Sequence, residues 1–508
     1  MRGKHILFIM ADQMAAPILP MHGKAALFGS EKLKTPHLDE LARQAVVFDS
    51  AYCNSPLCAP SRFTLMTGQL PSRIGGFDNA AELAAETPTF AHYLRRLGYQ
   101  TALSGKMHFC GPDQLHGFEQ RLTSDIYPAD FGWAVNWDEA DVRPSWYHNM
   151  SSVLQAGPCV RTNQLDFDEE VVFRARQYLY DYARSEQQQP FCLTVSMTHP
   201  HDPYTIGKAY WDLYDDEDIP LPTVTLPQDA LDPQSQRLLK VYDLWDKPLT
   251  TEAIRRARRA YFGAISYVDQ QIGHLRATLE ECGLADDTVI VFSGDHGDML
   301  GERGMWYKMS WYEMSARVPL LIHSPQQFAA AHIPASVSTM DLLPTLVELA
   351  GGTLDPLLPL DGQSLLPHLR GETGHDRVVG EYMAEGTISP MMMIRRGPYK
   401  FIYSEQDACM LFDLVNDPLE LNDLATHSDY QDVMAEFLRE ARSTWDIPAI
   451  TAAVLASQRR RRFVAEALKL GELTSWDHQP LVDASQQYMR NHIDLDDLER
   501  RARYPRPQ

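Results

Sequence analysis

The stretch TVIVFSGDHGD, residues 288–298, runs through Val289, Ile290, Val291 and Phe292 and then turns abruptly polar at Asp295, His296 and Asp298. A strand apolar on both faces belongs inside a mainly parallel sheet covered by helices on each side. Ligands of such sheets sit beyond the carboxyl ends of the strands. The polar residues that end this strand are therefore candidates for a site.

The same sentence recurs along the chain. HILFIM gives way to Asp12 and Gln13, TALSG to Lys106 and His108, and PFCLTVSMT to His199, His201 and Asp202. A turn or cap would account for any one of these sets; four sets at four strand ends describe one site rich in Asp, His and Lys. Hydrophobic periodicity predicts strands over 5–10, 46–48, 101–104, 191–197, 289–293 and 318–322. It predicts helices over 36–45 (capped by Thr35), 89–97, 169–183, 251–281 and 340–349. The fold expected is α/β, a large mixed, mainly parallel sheet sandwiched by helices. Beyond Gly351 the composition shifts to short strands over 378–383, 391–395, 400–403 and 410–414, followed by helices. That pattern predicts three parts: a catalytic domain over 1–351, a smaller C-terminal α+β subdomain over 352–445 and an extended tail over 446–508.

Bulk properties narrow the partners. The chain has 508 residues, 44% hydrophobic and 22% charged, which is ordinary for a globular protein. Its formal charge of −22 argues against nucleic acid or an anionic membrane as the main partner. No apolar run is long enough to span a bilayer. The N-terminus reads as a buried strand rather than a leader. Seven scattered cysteines, an odd number without metal-type spacing, fit a reducing compartment. The expectation is a cytoplasmic protein.

The donor set is chemically specific. Asp12, Asp295, neutral His296 and the Gln13 amide oxygen form a mainly oxygen site for one hard divalent ion: Ca²⁺ first, with Mg²⁺ or Mn²⁺ as alternatives. Arg62, Lys106 and Lys308 add positive charge that a structural metal would not need. A cationic pocket with a divalent metal suits a tetrahedral oxyanion ester, so the reaction class is sulfuryl or phosphoryl ester hydrolysis.

One further stretch sharpens this reading. Cys58-Ala59-Pro60-Ser61-Arg62 resembles the C-x-P-S-R signature of the type I sulfatases, in the alkaline phosphatase superfamily. The likeness extends to Gly105-Lys106-Met107-His108, Pro200-His201, the run from Gly294 to Glu302, Trp306-Tyr307-Lys308 and Tyr312-Glu313. It implies that a formylglycine-generating enzyme oxidises Cys58 to formylglycine, whose hydrate attacks sulfur through one hydroxyl while the second later expels sulfate. Carried over, Cys58 becomes the nucleophile and a metal ligand beside Asp12, Gln13, Asp295 and His296. Arg62 and Lys106 orient the diol, His108 is the base for the elimination, and His201 and Lys308 bind the sulfate. Asn79 lends an amide. Asp12-Gln13 departs from the Asp-Asp with which many sulfatases begin the site, although the Gln13 amide oxygen can still ligate.

The last sixty or so residues, from Ala452 through the four arginines 459–462 to Trp476-Asp477-His478-Gln479-Pro480, Asp483-Ala484-Ser485 and Tyr488-Met489-Arg490-Asn491, resemble the segment that distinguishes choline sulfatases from other sulfatases. In so acidic a chain the arginines are expected to pair with carboxylates of their own fold or of a neighbouring subunit. Choline-O-sulfate is the substrate this likeness implies; the alternatives are a phosphonate monoester or phosphodiester hydrolase, and a non-catalytic binder of sulfated metabolites. A quaternary ammonium donates no hydrogen bond, so its pocket needs aromatic faces and carboxylates. Trp133, His148 and Glu385 are the residues expected there, with Trp137, Trp146 and Tyr147 as further candidates. Asp496 and Asp497, near the chain end, are expected to help close the choline pocket of a neighbouring subunit in a homo-oligomer, a dimer or tetramer.

Overall fold

The computed structural model describes residues 4–505 except 128, 141, 187–188, 356–357, 473–475, 477, 481–482 and 484–492. Of the tail stretch quoted above, Asp477, Ala484, Ser485 and the run from Tyr488 to Asn491 lie outside the described residues.

Fourteen strands form three sheets among the described residues. In chain order they are β1 (His5–Asp12), β2 (Val46–Tyr52), β3 (Gln100–Gly105), β4 (Gln120–Arg121), β5 (Gly157–Cys159), β6 (Phe191–Pro200) and β7 (Thr205–Gly207). There follow β8 (Thr288–Gly294), β9 (Leu320–His323), β10 (Ala331–Ser338), β11 (Arg377–Tyr382), β12 (Met391–Arg396), β13 (Tyr399–Ser404) and β14 (Met410–Asp413). The main sheet has eight strands in the order β10-β2-β9-β8-β1-β6-β3-β4. Every pairing in it is parallel except those of β9, which runs against β2 and β8. The carboxyl ends of β1, β2, β3, β6 and β8 therefore share one edge.

Apolar strands set this sheet in the middle of the core. His5 to Asp12 are buried throughout, as are all residues of β6 and β8. The long helix Thr251–Glu281 begins where the Thr250 side chain accepts from the Ala253 amide at 3.1 Å, and it packs on β6. The helix expected from 169 starts earlier, at Asn163, because Thr162 caps it by accepting from Leu165 N. Strand β10 was not legible in the sequence. Its first residues are exposed, and Pro334 interrupts any alternation, which only an edge strand tolerates.

The second sheet, β11-β12-β13-β14, is antiparallel and covered by the helix Gln431–Thr444, which buries Met434 and Phe437 against Phe401 and Leu411. The chain then enters the helix Ile447–Leu468, so the segment expected as an extended tail opens with six turns of helix. No helix of the described residues is long and apolar enough to cross a membrane.

Candidate active site

The strand-end rule holds in space. Gln13 follows β1 and His108 follows β3, both with left-handed backbone (φ 63° and 62°), so each strand turns sharply to aim a side chain at the same edge. Cys58 opens the helix Cys58–Thr67, which the β2 carboxyl end delivers to the neighbouring position. Its Sγ lies 3.2 Å from His296 Nε2 and 3.8 Å from Lys106 Nζ. Burial alone would push the Cys58 thiol up, but Lys106, Lys308 and His296 together hold it well below the ordinary thiol range.

Beneath Cys58 lie the buried Asp12, Asp295 and His296, and ligand atoms of these three and of Cys58 all lie within 4.8 Å of one another. The set fits a divalent cation on three counts. Asp12 Oδ1 is buried and has no hydrogen-bond partner. His296 Nδ1–H donates to Gly297 O at 3.1 Å, which turns Nε2 toward the cluster. Asp295 takes the backbone amides of Gln13 and His296 at 2.9 Å each, which fixes its carboxylate. The remaining expected ligand, Gln13, presents its side-chain oxygen to Lys308 Nζ at 2.6 Å and its amide nitrogen to Asp298 Oδ2 at 2.6 Å.

Fixed cations surround this cluster. Lys106 is wholly buried and pairs with Asp12 Oδ2. Burial opposes ionisation of Asp12, yet Lys106, helped by His201 and Arg62, draws its carboxyl well below the usual range. Arg62 donates to Asp295 Oδ2 at 2.9 Å, to Lys106 O at 2.6 Å and to Ser196 Oγ at 2.9 Å. It sits under the pocket and braces Asp295, rather than lining the space above Cys58. Lys308 Nζ donates to His201 Nε2 at 2.9 Å, and His201 Nδ1–H in turn donates to Asp202 O at 2.7 Å.

Above Cys58 opens a cavity of about 280 Å³. Lys106, His108, His201 and Lys308 supply its charged lining, with His148 Nε2 beside them at 3.4 Å from Lys308 Nζ; Asn79, Trp133 and Glu385 complete it. Asn79 Oδ1 accepts from the amide of Ala59, which seats it beside Cys58. His108 stands edge-on to Trp133, with ring centroids 6.0 Å apart. Glu385 is 3% exposed, and its Oε2 has no partner. Burial, with Asp78 adding to it, pushes the Glu385 carboxyl up to about 7.

Family comparison now identifies the scaffold. The sulfatase family model matches residues 4–352, which include every residue of the charged side. The chain belongs to the sulfatase family. Two further family models match this sulfatase: "N-sulphoglucosamine sulphohydrolase, C-terminal" over residues 301–444, and "Choline sulfatase enzyme C terminal" over residues 452–504. It is 48% identical to a choline-sulfatase of Rhizobium meliloti (strain 1021), over 99% of this chain and 98% of the relative. An arylsulfatase of Clostridium perfringens is 27% identical, over 86% of this chain and 93% of the relative. Among solved structures, the phosphonate monoester hydrolase of Agrobacterium radiobacter superposes with a TM-score of 0.70 at 23% identity, covering 87% of this chain and 95% of that one. That likeness establishes a shared fold.

Several placements differ from the sequence reading. Trp137 turns away from the cavity and donates from its indole to Ala384 O at 3.4 Å, so it steadies the Glu385 segment instead of facing a ligand. Asp496 and Asp497 lie on the exposed helix Leu495–Ala502, and nearby Tyr504 is tied to Cys282 O at 2.8 Å. Cys282 ends the helix Thr251–Glu281 just before β8 starts, at the amino edge of the sheet. Both carboxylates are thus remote from their own chain's cavity, and only a second copy could present them to one. Of the four arginines, Arg461 pairs with Asp78 and Arg459 with Asp138, carboxylates of the same chain as expected.

Sequence reasoning missed Tyr127 and Asp125. Tyr127 lines the cavity, with Lys106 Nζ over its ring at 4.8 Å. Asp125 accepts from the backbone amides of Met107 and His108 at 3.0 and 2.8 Å and so shapes the turn that presents His108. Both lie in an irregular loop with no periodicity to mark them.

Proposed function

We propose that this sulfatase hydrolyses choline-O-sulfate to choline and sulfate, with Cys58 converted to formylglycine as its nucleophile. The observation that carries this reading is the buried Glu385 carboxylate, whose Oε2 has no hydrogen-bond partner, on the same small cavity as Trp133 and Cys58. A trimethylammonium head is attracted to aromatic faces and to a carboxylate, and needs no hydrogen-bond acceptor. The 48% identity to a choline-sulfatase along nearly the whole chain supports the same substrate.

Asp12, Gln13, Asp295 and His296 would hold one divalent cation, Ca²⁺ by the preponderance of hard oxygen donors, with Mg²⁺ or Mn²⁺ able to substitute. When bound, it supplies charge stabilisation to the sulfate oxygens. The protein's own groups do the rest. Lys106 and the Arg62-braced Asp295 fix the orientation of the attacking hydroxyl group at position 58. Lys308 and His201 stand where the sulfate and departing choline oxygen would lie, so Lys308 can stabilise the developing alkoxide. His108, whose ring nitrogens have no hydrogen-bond partner among the described residues, is free to take the proton that lets the second hydroxyl expel sulfate.

Maturation requires a formylglycine-generating enzyme acting on Cys58-Ala59-Pro60-Ser61-Arg62. All seven cysteines are unpaired, which supports a reducing, cytoplasmic setting. A homo-oligomer, dimer or tetramer, would be needed for Asp496 and Asp497 to reach a neighbouring cavity.

The test compares purified enzyme on choline-O-sulfate, an aryl sulfate and phenyl phosphonate. The proposal expects choline-O-sulfate to give the highest kcat/KM. Dominant phosphonate hydrolysis would favour the activity of the protein whose fold it shares, and no turnover of any ester by the matured enzyme would leave a sulfated-metabolite binder.

A further inference from the structure

Three separate segments build the wall opposite the charged floor: 77–80 with Asn79, 133–137 with Trp133, and 383–385 with Glu385. None is itself a strand or a long helix; 383–385 leaves the end of β11, where the Tyr382 hydroxyl donates to Glu385 O at 2.7 Å, and the other two lie in loops and short turns. One face of the helix Ile447–Leu468 touches all three. Val454 buries with Phe77 and Met383. Four residues on, Gln458 Oε1 accepts from Trp137 N at 2.9 Å, and the Trp137 indole donates to Ala384 O at 3.4 Å. Three residues further, Arg461 forms a two-pronged pair with Asp78, one prong at 2.9 Å to Oδ2. Positions 454, 458 and 461 form one stripe of a helix.

Asp78 is the hub of this contact. Its Oδ1 accepts from Ala80 N at 3.0 Å and its Oδ2 from Val135 N at 3.4 Å, so it links the Asn79 turn to the Trp133 segment. Asp78 is fully buried and Arg461 is 5% exposed, so each charge depends on the other for compensation. The neighbouring pair, Arg459 with Asp138, is exposed on both sides and holds little by comparison. Neither Arg461 nor Gln458 lines the cavity.

We propose that Arg461 is a positioning residue which, with Gln458, clamps the three wall segments together, so that the C-terminal segment sets substrate selectivity within its own chain. The wall's role in holding an organic cation rests on the function proposed above. The floor groups Asp12, Lys106, His201 and Asp295 are anchored on the ends of β1, β3, β6 and β8 rather than on this helix.

The experiment uses the full-length, matured enzyme carrying Arg461→Met, Arg461→Lys or Gln458→Leu, with kcat and KM measured on choline-O-sulfate and on 4-nitrophenyl sulfate. Arg461→Met is expected to raise KM for choline-O-sulfate about tenfold more than for the aryl ester, with Gln458→Leu shifting it the same way by less. Arg461→Lys keeps the charge and should recover part of the loss. Equal changes on both substrates, or none, in the variants that unfold cooperatively would overturn the clamp. Should Arg461→Met fail to fold, Arg461→Lys and Gln458→Leu decide the matter by the same ratio. Glu385→Gln serves as reference. If it lowers selectivity for the cationic ester while the clamp variants do not, only the clamp is wrong; if it leaves selectivity intact, the cation-binding wall and the clamp both fall.

Discussion

Two carboxylate oxygens lack partners at this site, one beneath Cys58 and one on the cavity above it, and their surroundings are opposite. On the floor, Asp12 is ringed by Lys106, Arg62 and His201, and its carboxyl is held well below the usual range. On the wall, Glu385 sits in a buried, largely aromatic setting that pushes it up to about 7. A hard divalent ion is held most firmly where its carboxylate ligands stay ionised. A quaternary ammonium, which is weakly hydrated and donates nothing, binds well to aromatic faces around a carboxylate that has no other partner. On the function proposed above, one residue class would serve two different cations, and the setting would decide which. Floor and wall should therefore fail differently.

The largest expected effect is on the floor. Cys58→Ala should lower kcat on every ester by on the order of 10³-fold or more while far-UV circular dichroism and the unfolding transition stay as in wild type. A variant that lost only the choline ester activity would break the division. Metal removal comes next. With chelator, Asp12 and Asp295 lose the cation that links them, so activity on all esters should vanish and the melting temperature should drop by about 5 °C. Added Ca²⁺ should restore both.

The wall should instead respond to pH. The Glu385 carboxyl is raised from 4.5 to about 7, so below that pH it is protonated and cannot attract a cation. Affinity for the product choline should rise about tenfold per unit on going up toward pH 7 and then level off. The linked release of a proton is readable by calorimetry in buffers of different ionisation enthalpy, and Glu385→Gln should abolish both. For stability the same shift has the opposite sense. A carboxyl raised on folding contributes stability that is complete below its unfolded value and is lost as pH rises through about 7. The smallest effect should follow removal of residues from about 470 onward, which spares the helix Ile447–Leu468. KM for choline-O-sulfate should rise about threefold and oligomerisation should weaken. Equal loss on an aryl sulfate would deny the chain end any part in selecting choline.

Much of the floor was legible because apolar strands announce themselves and a parallel sheet aligns their ends. Asp12, Lys106, His201 and Asp295 each followed a strand that the hydrophobic pattern marks. Lys308 lies in an irregular loop that no strand pattern marks; its charge, and then its likeness to a family motif, singled it out. The wall was harder. Trp133 and Glu385 came from resemblance alone, and Trp137, equally aromatic and close in sequence, points elsewhere because its indole finds Ala384 O. Sequence marks a buried aromatic; it does not say which face of an irregular loop turns inward. Asp78 illustrates the same limit. It lies next to Asn79, and its partner Arg461 is 383 residues away. Four consecutive arginines conceal which one is buried until the helix is placed.

The claim that floor and wall divide chemistry from selectivity is tested most directly by an uncharged twin of the substrate. 3,3-Dimethylbutyl sulfate matches choline-O-sulfate in shape but carries carbon in place of the cationic nitrogen. Wild-type enzyme should prefer the cationic ester by on the order of a hundredfold in kcat/KM, since both ring faces and a charge are lost as partners. In Glu385→Gln that preference should fall about tenfold or more, with kcat/KM for the neutral ester left within about twofold of wild type. A preference unchanged by the substitution, or an equal loss on both esters, would contradict the division.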